Sequence, residues 1–177
     1  MDGIVDRRVR RTRQALRRAA LDVVRERGFQ AARVSDIAER ADVNRGTFYA
    51  HYADKFALAD DLVRVEFHRR ITGRMRWTAD PAGDVVRQLT LLLWEASRTG
   101  HSCWRDVNVL RPRIHQVVRG EMGRSLRQRY EPVSAHLVGS TIVGTVCWWR
   151  ESGLADVTGA QAADHVTELV LHGVKPL

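Results

Sequence analysis

Cysteine and long apolar runs are scarce in this chain, and each scarcity excludes a class of protein. Its two cysteines, Cys103 and Cys147, cannot form a disulfide framework, and we interpret them as two buried thiols rather than a bridge. No apolar run approaches the roughly 20 residues that would span a bilayer. The first residues also lack the apolar stretch that follows the arginines of a signal peptide. We therefore expect a cytoplasmic protein that does not enter a membrane.

Acidic residues are too few to balance the basic ones. The chain has 29 Lys and Arg against 21 Asp and Glu, which gives a formal net charge of +8 and a sequence pI near 10.6. The positive charge is almost entirely arginine, whose planar donor group suits phosphate and guanine. This balance favours nucleic acid as a partner over a membrane surface. A chain of 177 residues is long enough for one or two domains with a substantial core.

The segment from Val34 to Lys55 predicts two short helices joined by a tight turn. Apolar residues recur at helical spacing in its first half, at Val34, Ile37, Ala38 and Ala41. Asp42 and Val43 then break this period, and Asn44 can cap a second helix. The outer faces of that helix carry hydrogen-bond donors and flat rings, which suit base edges and phosphates. These side chains belong to Asn44, Arg45, Thr47, Tyr49 and His51.

The second helix and its exit resemble the tetracycline-repressor-like (TetR) family of bacterial transcriptional regulators. The family pattern ends with Thr-x-Tyr-x-His-Phe followed by a Lys, and this chain reads Thr47-Phe48-Tyr49-Ala50-His51-Tyr52-Ala53-Asp54-Lys55. The match extends upstream through Arg13-Gln14-Ala15-Leu16 to Gly28-Phe29, so it covers roughly the first third of the chain. Two positions depart from the pattern. Asp42 stands where the family most often has Gly, and Arg33 stands where it usually has a Ser or Thr cap.

The resemblance implies an all-α protein with two domains. Residues 1–53 would form a three-helix helix-turn-helix DNA-binding domain, and residues 54–177 a C-terminal helical bundle for ligand binding and dimerisation. Within the first domain we assign Arg45 and Thr47 to base edges, with Asn44 close by. The residues that we expect at phosphates are Tyr49, His51 and Lys55.

A cluster of arginines precedes and enters the first helix. Arg11 and Arg13 belong to this cluster, and we expect both to contact phosphates. Two alternatives remain open. Either the first residues form an arm that enters the minor groove, or the cluster is a solvated basic face.

Beyond Lys55 the sequence predicts helices throughout. Asp54 can cap a long helix, and Pro81 stands at a first-turn position where its missing N–H costs nothing. Turn residues separate the later segments. We expect further helices at about 104–110, 112–130, 133–151 and 159–172, with a break at Pro112.

The last two of these helices have the composition of a subunit interface. One of them is apolar over much of its circumference, and in the resembled family dimers form through the last two helices. We therefore predict a homodimer. The alternative is that both helices close the monomer's own core. The residues assigned to the interface are Leu137, Ile142, Val146, Trp149, Val166, Leu169 and Val170.

A ligand site is expected among the middle helices, because members of the resembled family commonly bind a small molecule there. Rings at helical spacing are more often core than pocket, so both interpretations stay open. The candidate lining residues, for a small apolar or aromatic effector, are Trp94, Trp104, Met122 and Trp148. We expect no metal and no cofactor. One acidic and histidine set has helical spacing, but solvated or interface side chains are favoured there: Asp164, His165, Glu168 and His172.

These features together predict a sequence-specific DNA-binding transcriptional regulator. The resemblance implies a dimeric repressor that a small-molecule effector releases from a pseudo-palindromic DNA operator, whereas the residues themselves leave repressor and activator open. One alternative is a structural protein that binds DNA with little sequence preference, because the basic charge alone fits both. A less favoured alternative is an all-helical enzyme. The chain lacks a Gly-rich phosphate loop, Cys and His at metal-binding spacing, and a nucleophile elbow.

Overall fold

The computed structural model describes residues 2–75, 82–99, 107–152 and 157–173, and this part of the chain contains helices and no strand. In chain order the helices are α1 (Asp2–Arg27), α2 (Val34–Arg40), α3 (Arg45–His51), α4 (Lys55–Arg70), α5 (Ala82–Thr99), α6 (Val107–Leu126), α7 (Pro132–Glu151) and α8 (Gly159–His172). A short 3-10 turn spans Thr72–Arg74. The predicted all-α class is confirmed, and α8 has the predicted bounds.

The described residues form two compact units. The N-terminal unit comprises residues 2–62 and 107–112, and the C-terminal unit comprises the described residues of 63–99 and 113–173. None of the helices described is both long and apolar enough to cross a membrane.

The N-terminal unit is built on one apolar face of α1. This face follows the helical period, and its side chains are exposed by 3% or less: Leu16, Ala19, Ala20, Val23 and Val24. Ile37 of α2 and Phe48 of α3 are buried to the same degree. The apolar residues that recur at helical spacing make α1 amphipathic. The same face of α1 therefore forms the core on which the helix-turn-helix packs.

Side-chain caps fix the starts of α4 and α8. The carboxylate of Asp54 accepts from the amide of Ala57 at 2.7 Å, as expected at the beginning of α4. At α8 the Thr158 hydroxyl accepts from the Gln161 amide at 3.2 Å, and the Gln161 side chain accepts from the Thr158 amide at 2.9 Å. This reciprocal pair is a capping box. Local signals of this kind explain why the start of α8 could be predicted from the sequence.

In the C-terminal unit α5 packs against α7 and α8. The core of this unit includes Val85, Leu89, Met122, Ile142 and Val166. Helix α6 closes on α7 at Gly139, where an added Cβ would lie 3.1 Å from the Gly123 nitrogen. The absence of a side chain at Gly139 therefore lets the two helix backbones approach closely.

A buried carboxylate joins α4 to α6 within the C-terminal unit. Glu121 is only 3% exposed, and it lies 3.3 Å from Arg64 Nε and 3.4 Å from His68 Nε2. Arg124 pairs with the same carboxylate. A buried charge is destabilising unless it is paired, so these cations let Glu121 remain in the core.

The predicted break at Pro112 is wrong. Helix α6 runs through this residue from Val107 to Leu126. Proline removes one backbone hydrogen bond and crowds the carbonyl four residues earlier. The apolar residues further along α6, among them Met122 and Leu126, are completely buried. The burial of these residues outweighs the loss of that single bond, and a rule that considers only the local sequence does not include this contribution.

Candidate nucleic-acid interface

The turn between α2 and α3 contains one position whose backbone conformation favours glycine. Asp42 has a φ of 55°, in the left-handed region, and its amide donates to the Glu39 carbonyl at 3.0 Å. The Val43 amide donates to the Ala38 carbonyl at 3.0 Å. These two bonds form a Schellman closure of α2. Asp42 therefore preserves the tight turn, although its side chain makes the left-handed backbone less favourable than glycine would.

Replacing Asp42 by glycine is expected to stabilise the N-terminal unit. We expect Asp42→Gly to raise the free energy of unfolding by about 0.5–1 kcal/mol, because relief of the left-handed strain exceeds the extra chain entropy of glycine. Asp42→Ala is the control, and it should lower that free energy by about 1 kcal/mol. Urea unfolding followed by circular dichroism measures both. Equal shifts for the two variants would contradict this account.

Helix α2 begins without a hydroxyl cap. Arg33 stands at the cap position in extended backbone, and arginine has no acceptor for the free amides of the first turn. Asp36 compensates in part, since its carboxylate accepts from the Arg33 amide at 3.2 Å. The same carboxylate lies 3.4 Å from Arg27 Nη1. With arginine at the cap position, α2 therefore lacks the capping-box hydrogen bond that a Ser or Thr side chain would accept. It keeps the other one, from the Arg33 amide to the Asp36 carboxylate.

Asn44 acts as the cap of α3. Its side-chain oxygen accepts from the Thr47 amide at 2.7 Å and from the Thr47 hydroxyl at 3.0 Å. Sequence reasoning missed Gly46, where an added Cβ would lie 3.2 Å from the Asn44 side-chain oxygen. A bare backbone here keeps room for the cap and lets another molecule approach the first turn of α3 closely. The only sequence signal for this role is a glycine placed between two hydrogen-bond donors.

The remaining α3 side chains assigned to DNA reach the surface to different degrees. Arg45 is exposed and makes no ion pair within the described residues. Tyr49 is 49% exposed, while His51 and Thr47 are partly exposed. Arg45 is therefore the α3 cation most available to a base edge.

Tyr52 packs inward at the end of α3 rather than facing a partner. It is 5% exposed, and its hydroxyl donates to Asp61 Oδ2 at 2.5 Å. Burial, together with this hydrogen bond, raises the pKa of Tyr52 well above its usual range, so the hydroxyl keeps its proton. Arg17 Nη1 lies 3.0 Å from the same carboxylate, and the Arg13 guanidinium lies 5.7 Å from the centre of the Tyr52 ring. This cluster ties α3 to α1 and α4.

Lys55 has a structural role that the sequence does not indicate. Its ammonium donates to the carbonyls of Phe29, Gln30 and Ala32 at 3.0, 2.9 and 3.0 Å. These carbonyls belong to the connection that follows Gly28, which ends α1 with a φ of 80°. An ammonium group has three protons, and all of them are used here. Lys55 therefore holds the α1–α2 connection, and the predicted phosphate contact would have to break these bonds.

Removing the Lys55 charge is expected to destabilise the protein without changing the number of its ionic contacts to DNA phosphates. Lys55→Met keeps the length of the side chain but leaves three carbonyls without their donor, which should cost about 2 kcal/mol of unfolding free energy. Thermal unfolding and a salt titration of DNA affinity, at a temperature where the variant is folded, separate the two roles. An unchanged stability with a salt slope lower by about 1 would instead assign Lys55 to a phosphate.

The arginines of the N-terminal cluster lie on a helix. Helix α1 begins at Asp2, and both Arg11 and Arg13 are exposed. Helical backbone from Asp2 onward favours contact with phosphates over an extended arm in the minor groove. Arg11 makes no ion pair in the part of the chain that the structure describes.

Three of the residues predicted for an effector pocket lie in the C-terminal unit with different exposures. Met122 is completely buried in the core of the C-terminal unit, and Trp148 is 57% exposed. Trp94 instead packs edge-on against Trp149, with ring centres 6.0 Å apart. Trp104 lies outside the described residues. The effector pocket assigned to this set therefore stays a prediction.

Only part of the predicted dimer surface is available to a second subunit. Ile142, Val146 and Val166 are exposed by 1% or less and belong to the protomer's own core. Helical spacing could not separate the two faces, because both faces of α7 are apolar. Leu137 is 60% exposed and Leu169 is 36% exposed. Trp149 and Val170 are partly buried against the core.

The histidine and acidic side chains described in the C-terminal unit are not grouped as metal ligands. Among the described residues, no group of three or more His, Cys, Asp or Glu side chains could hold a metal ion. Asp164 pairs with Arg87 at 2.7 Å. The Sγ of Cys147, a half-buried residue, lies 3.3 Å from His115 Nε2, and Cys103 lies outside the described residues.

Comparisons with known proteins centre on the helix-turn-helix segment. Residues 16–62 match the family described as bacterial regulatory proteins, tetR family. The chain is 43% identical over 61 residues to the uncharacterized HTH-type transcriptional regulator YxbF of Bacillus subtilis (strain 168). It is 39% identical over 57 residues to the HTH-type transcriptional regulator TcmR of Streptomyces glaucescens. These matches cover 34% and 32% of this chain but only 16% and 25% of the two relatives.

Two solved structures share the fold over most of the chain. The multidrug binding protein EbrR complexed with imidazole gives a TM-score of 0.61 at 22% identity, with 90% of this chain and 92% of that chain covered. A TetR-family regulator from Streptomyces coelicolor A3 gives 0.61 at 21% identity, with the same two coverages. These likenesses show that the helical bundle following the helix-turn-helix has the same fold.

Proposed function

We propose that the chain is a sequence-specific transcriptional regulator of the kind described as bacterial regulatory proteins, tetR family, whose family model its residues 16–62 match. The observation that carries the proposal is the first turn of α3. Arg45 is exposed and makes no ion pair in the described structure. Close to it in the same turn, the Thr47 amide donates to the Asn44 side-chain oxygen at 2.7 Å, which fixes the position of Thr47. A rigid, donor-bearing turn of this kind suits base edges in the major groove.

We propose separate roles for the DNA-facing side chains. Arg45 and Thr47 contact base edges, and Asn44 holds their backbone rather than a base. Tyr49, His51, Arg11 and Arg13 contact phosphates, which set affinity and register but not sequence. Lys55 acts indirectly, through the α1–α2 connection.

We propose that the protein acts as a homodimer. Val133, Leu137 and Trp148 of α7 are exposed by 64, 60 and 57%. Their spacing places them on one side of the helix, together with Gly144, where an added Cβ would meet nothing within 4 Å. We call these four residues the α7 stripe. Exposed large apolar side chains in a row indicate an interface, and a two-fold dimer would match a pseudo-palindromic operator with half-sites about 34–36 Å apart or a multiple of that.

The proposed regulator is a repressor that a small-molecule effector releases from DNA, and it acts in the cytoplasm, where a bacterial chromosome lies. EbrR, which shares the fold, is a multidrug binding protein, and this supports a ligand-responsive C-terminal unit. No catalytic activity is proposed. Effector-driven release requires that the ligand bind the DNA-free geometry more tightly than the DNA-bound one.

Fluorescence anisotropy with DNA from upstream of the protein's own gene tests the proposal. We expect binding at near-physiological salt that exceeds binding to a scrambled duplex by roughly a thousandfold or more. A protein that binds DNA only through its exposed arginines would bind both duplexes equally and with a steep salt dependence. If fragments selected from the whole genome also show no preferred sequence, the regulator proposal fails.

A further inference from the structure

An open cavity of about 530 Å³ lies in the C-terminal unit. The end of α4, the 3-10 turn and the second half of α5 form its walls, and its volume is in the range of small-molecule sites. Four guanidinium groups, one carboxylate and one indole dominate the lining. The lining residues are Arg69, Arg70, Arg74, Trp94, Glu95, Ala96 and Arg98.

Carboxylates balance only part of this positive charge. Arg69 makes two hydrogen bonds to Glu66, at 2.9 and 2.7 Å, and Arg70 pairs with the same side chain. The hydrogen bond from Arg69, assisted by Arg70, holds the pKa of Glu66 below its usual value. Arg74 Nη1 lies 3.0 Å from Glu95 Oε2. Among the described residues, two carboxylates thus meet four arginines, which leaves two positive charges in excess.

The helix ends account for some of this excess but not all of it. Arg69 and Arg70 lie in the last turn of α4, and Arg98 lies in the last turn of α5. Each helix C-terminus carries about half a negative charge, so two of them offset about one positive charge. Arg98 forms no ion pair with any described residue. A cation of this kind facing a cavity is available to an anionic ligand.

The indole of Trp94 gives the cavity a fixed apolar wall. It meets the Trp149 ring edge-on at an interplanar angle of 81°. An added Cβ at Gly159 would lie only 2.6 Å from Trp94 Cδ1, so the start of α8 packs directly on the indole. A ring held on two sides in this way offers a rigid surface to the apolar part of a ligand.

We propose that this cavity binds a small organic anion, a carboxylate or a phosphate monoester attached to an apolar ring. The anionic group pairs with Arg98 and with Arg74, and the ring lies against Trp94. The regulatory meaning of this site rests on the proposed function, since the anion would be the effector. The anionic group is what this ligand class adds to the small apolar or aromatic effector expected from the sequence.

Isothermal titration calorimetry on the full chain tests the ligand class with four probes of similar size. Benzoate and phenyl phosphate carry the two candidate anionic groups, benzamide is neutral and benzylamine is cationic. We expect at least one anion to bind at least about tenfold more tightly than benzamide, with no binding of benzylamine. Equal binding of benzamide and both anions, or no binding of either anion, would overturn the proposal.

Three substitutions assign the binding to this cavity. Arg98→Gln should weaken binding of the better anion about tenfold or more. Glu95→Gln should tighten it roughly threefold, because Arg74 loses a competing carboxylate. Arg119→Gln is the matched control, an exposed arginine of α6 with no ion pair in the described structure, and it should change nothing. Unchanged affinity in Arg98→Gln would place the anion elsewhere.

Operator binding separates this proposal from the proposed function. If the protein binds its operator but neither anion binds, the cavity proposal alone fails. If an anion binds through Arg98 but no operator is found, the site stands and the regulator proposal fails. If Arg98→Gln lowers affinity for every duplex while the anions do not bind, the arginines contact DNA phosphates and the cavity proposal is overturned.

Discussion

Leu137→Asp is expected to convert the protein to a monomer that binds its operator at least about a hundredfold more weakly. Leu137 is 60% exposed at the centre of the α7 stripe. In a two-fold interface each substitution occurs twice, and full burial of a leucine contributes about 1.5–3 kcal/mol. Since only 60% of the side chain is left to bury, two such losses amount to about 2–3.5 kcal/mol and raise the dimer Kd about thirtyfold or more. Two introduced carboxylates would add the cost of burying unpaired charge.

Size-exclusion chromatography with light scattering and operator anisotropy would measure the two effects. Val65→Asp is the matched control, since Val65 of α4 is an apolar residue exposed by 42% that lies outside the α7 stripe. It adds the same charge and should leave both dimer and operator affinity unchanged. A Leu137→Asp protein that remains dimeric would remove the α7 stripe from the interface.

The fold could be predicted where the determining interactions are local. The bounds of α8 follow from the Thr158 and Gln161 capping box and from Gly173, whose φ of 75° ends the helix. The strained turn could be foreseen too, because Asp42 stands at a position of the turn where the family most often has Gly. Pro112 shows the limit of this reasoning, because continuation of α6 depends on packing against residues distant in the sequence.

The candidate site could be predicted as a surface but not in its individual roles. Asparagine both caps helices and reads adenine, so the sequence could not show that the Asn44 oxygen bonds to Thr47. Lys55 contacts carbonyls 23 to 26 positions earlier in the chain, which no local pattern contains. The Arg98 cavity was missed for the same reason, since its arginines come from separate elements.

Arg45→Ala is expected to reduce operator affinity about thirtyfold or more and to relax base preference at one position of each half-site. A bidentate arginine to guanine contributes about 1–3 kcal/mol of discrimination, and a dimer loses it in both half-sites. Arg45 makes no ion pair in the described structure and is exposed, so the melting temperature should not change. The loss therefore measures recognition rather than folding.

Arg11→Ala provides the matched comparison, because Arg11 is another exposed arginine without an ion pair in the described residues. As a phosphate contact, it should weaken operator and scrambled duplexes equally and lower the salt slope by about 1. Anisotropy against a set of single-base operator variants, at two salt concentrations, distinguishes the two behaviours. If Arg45→Ala weakens all duplexes alike while Arg11→Ala relaxes base preference, base recognition comes from α1 and the assignment of α3 as the reading helix fails.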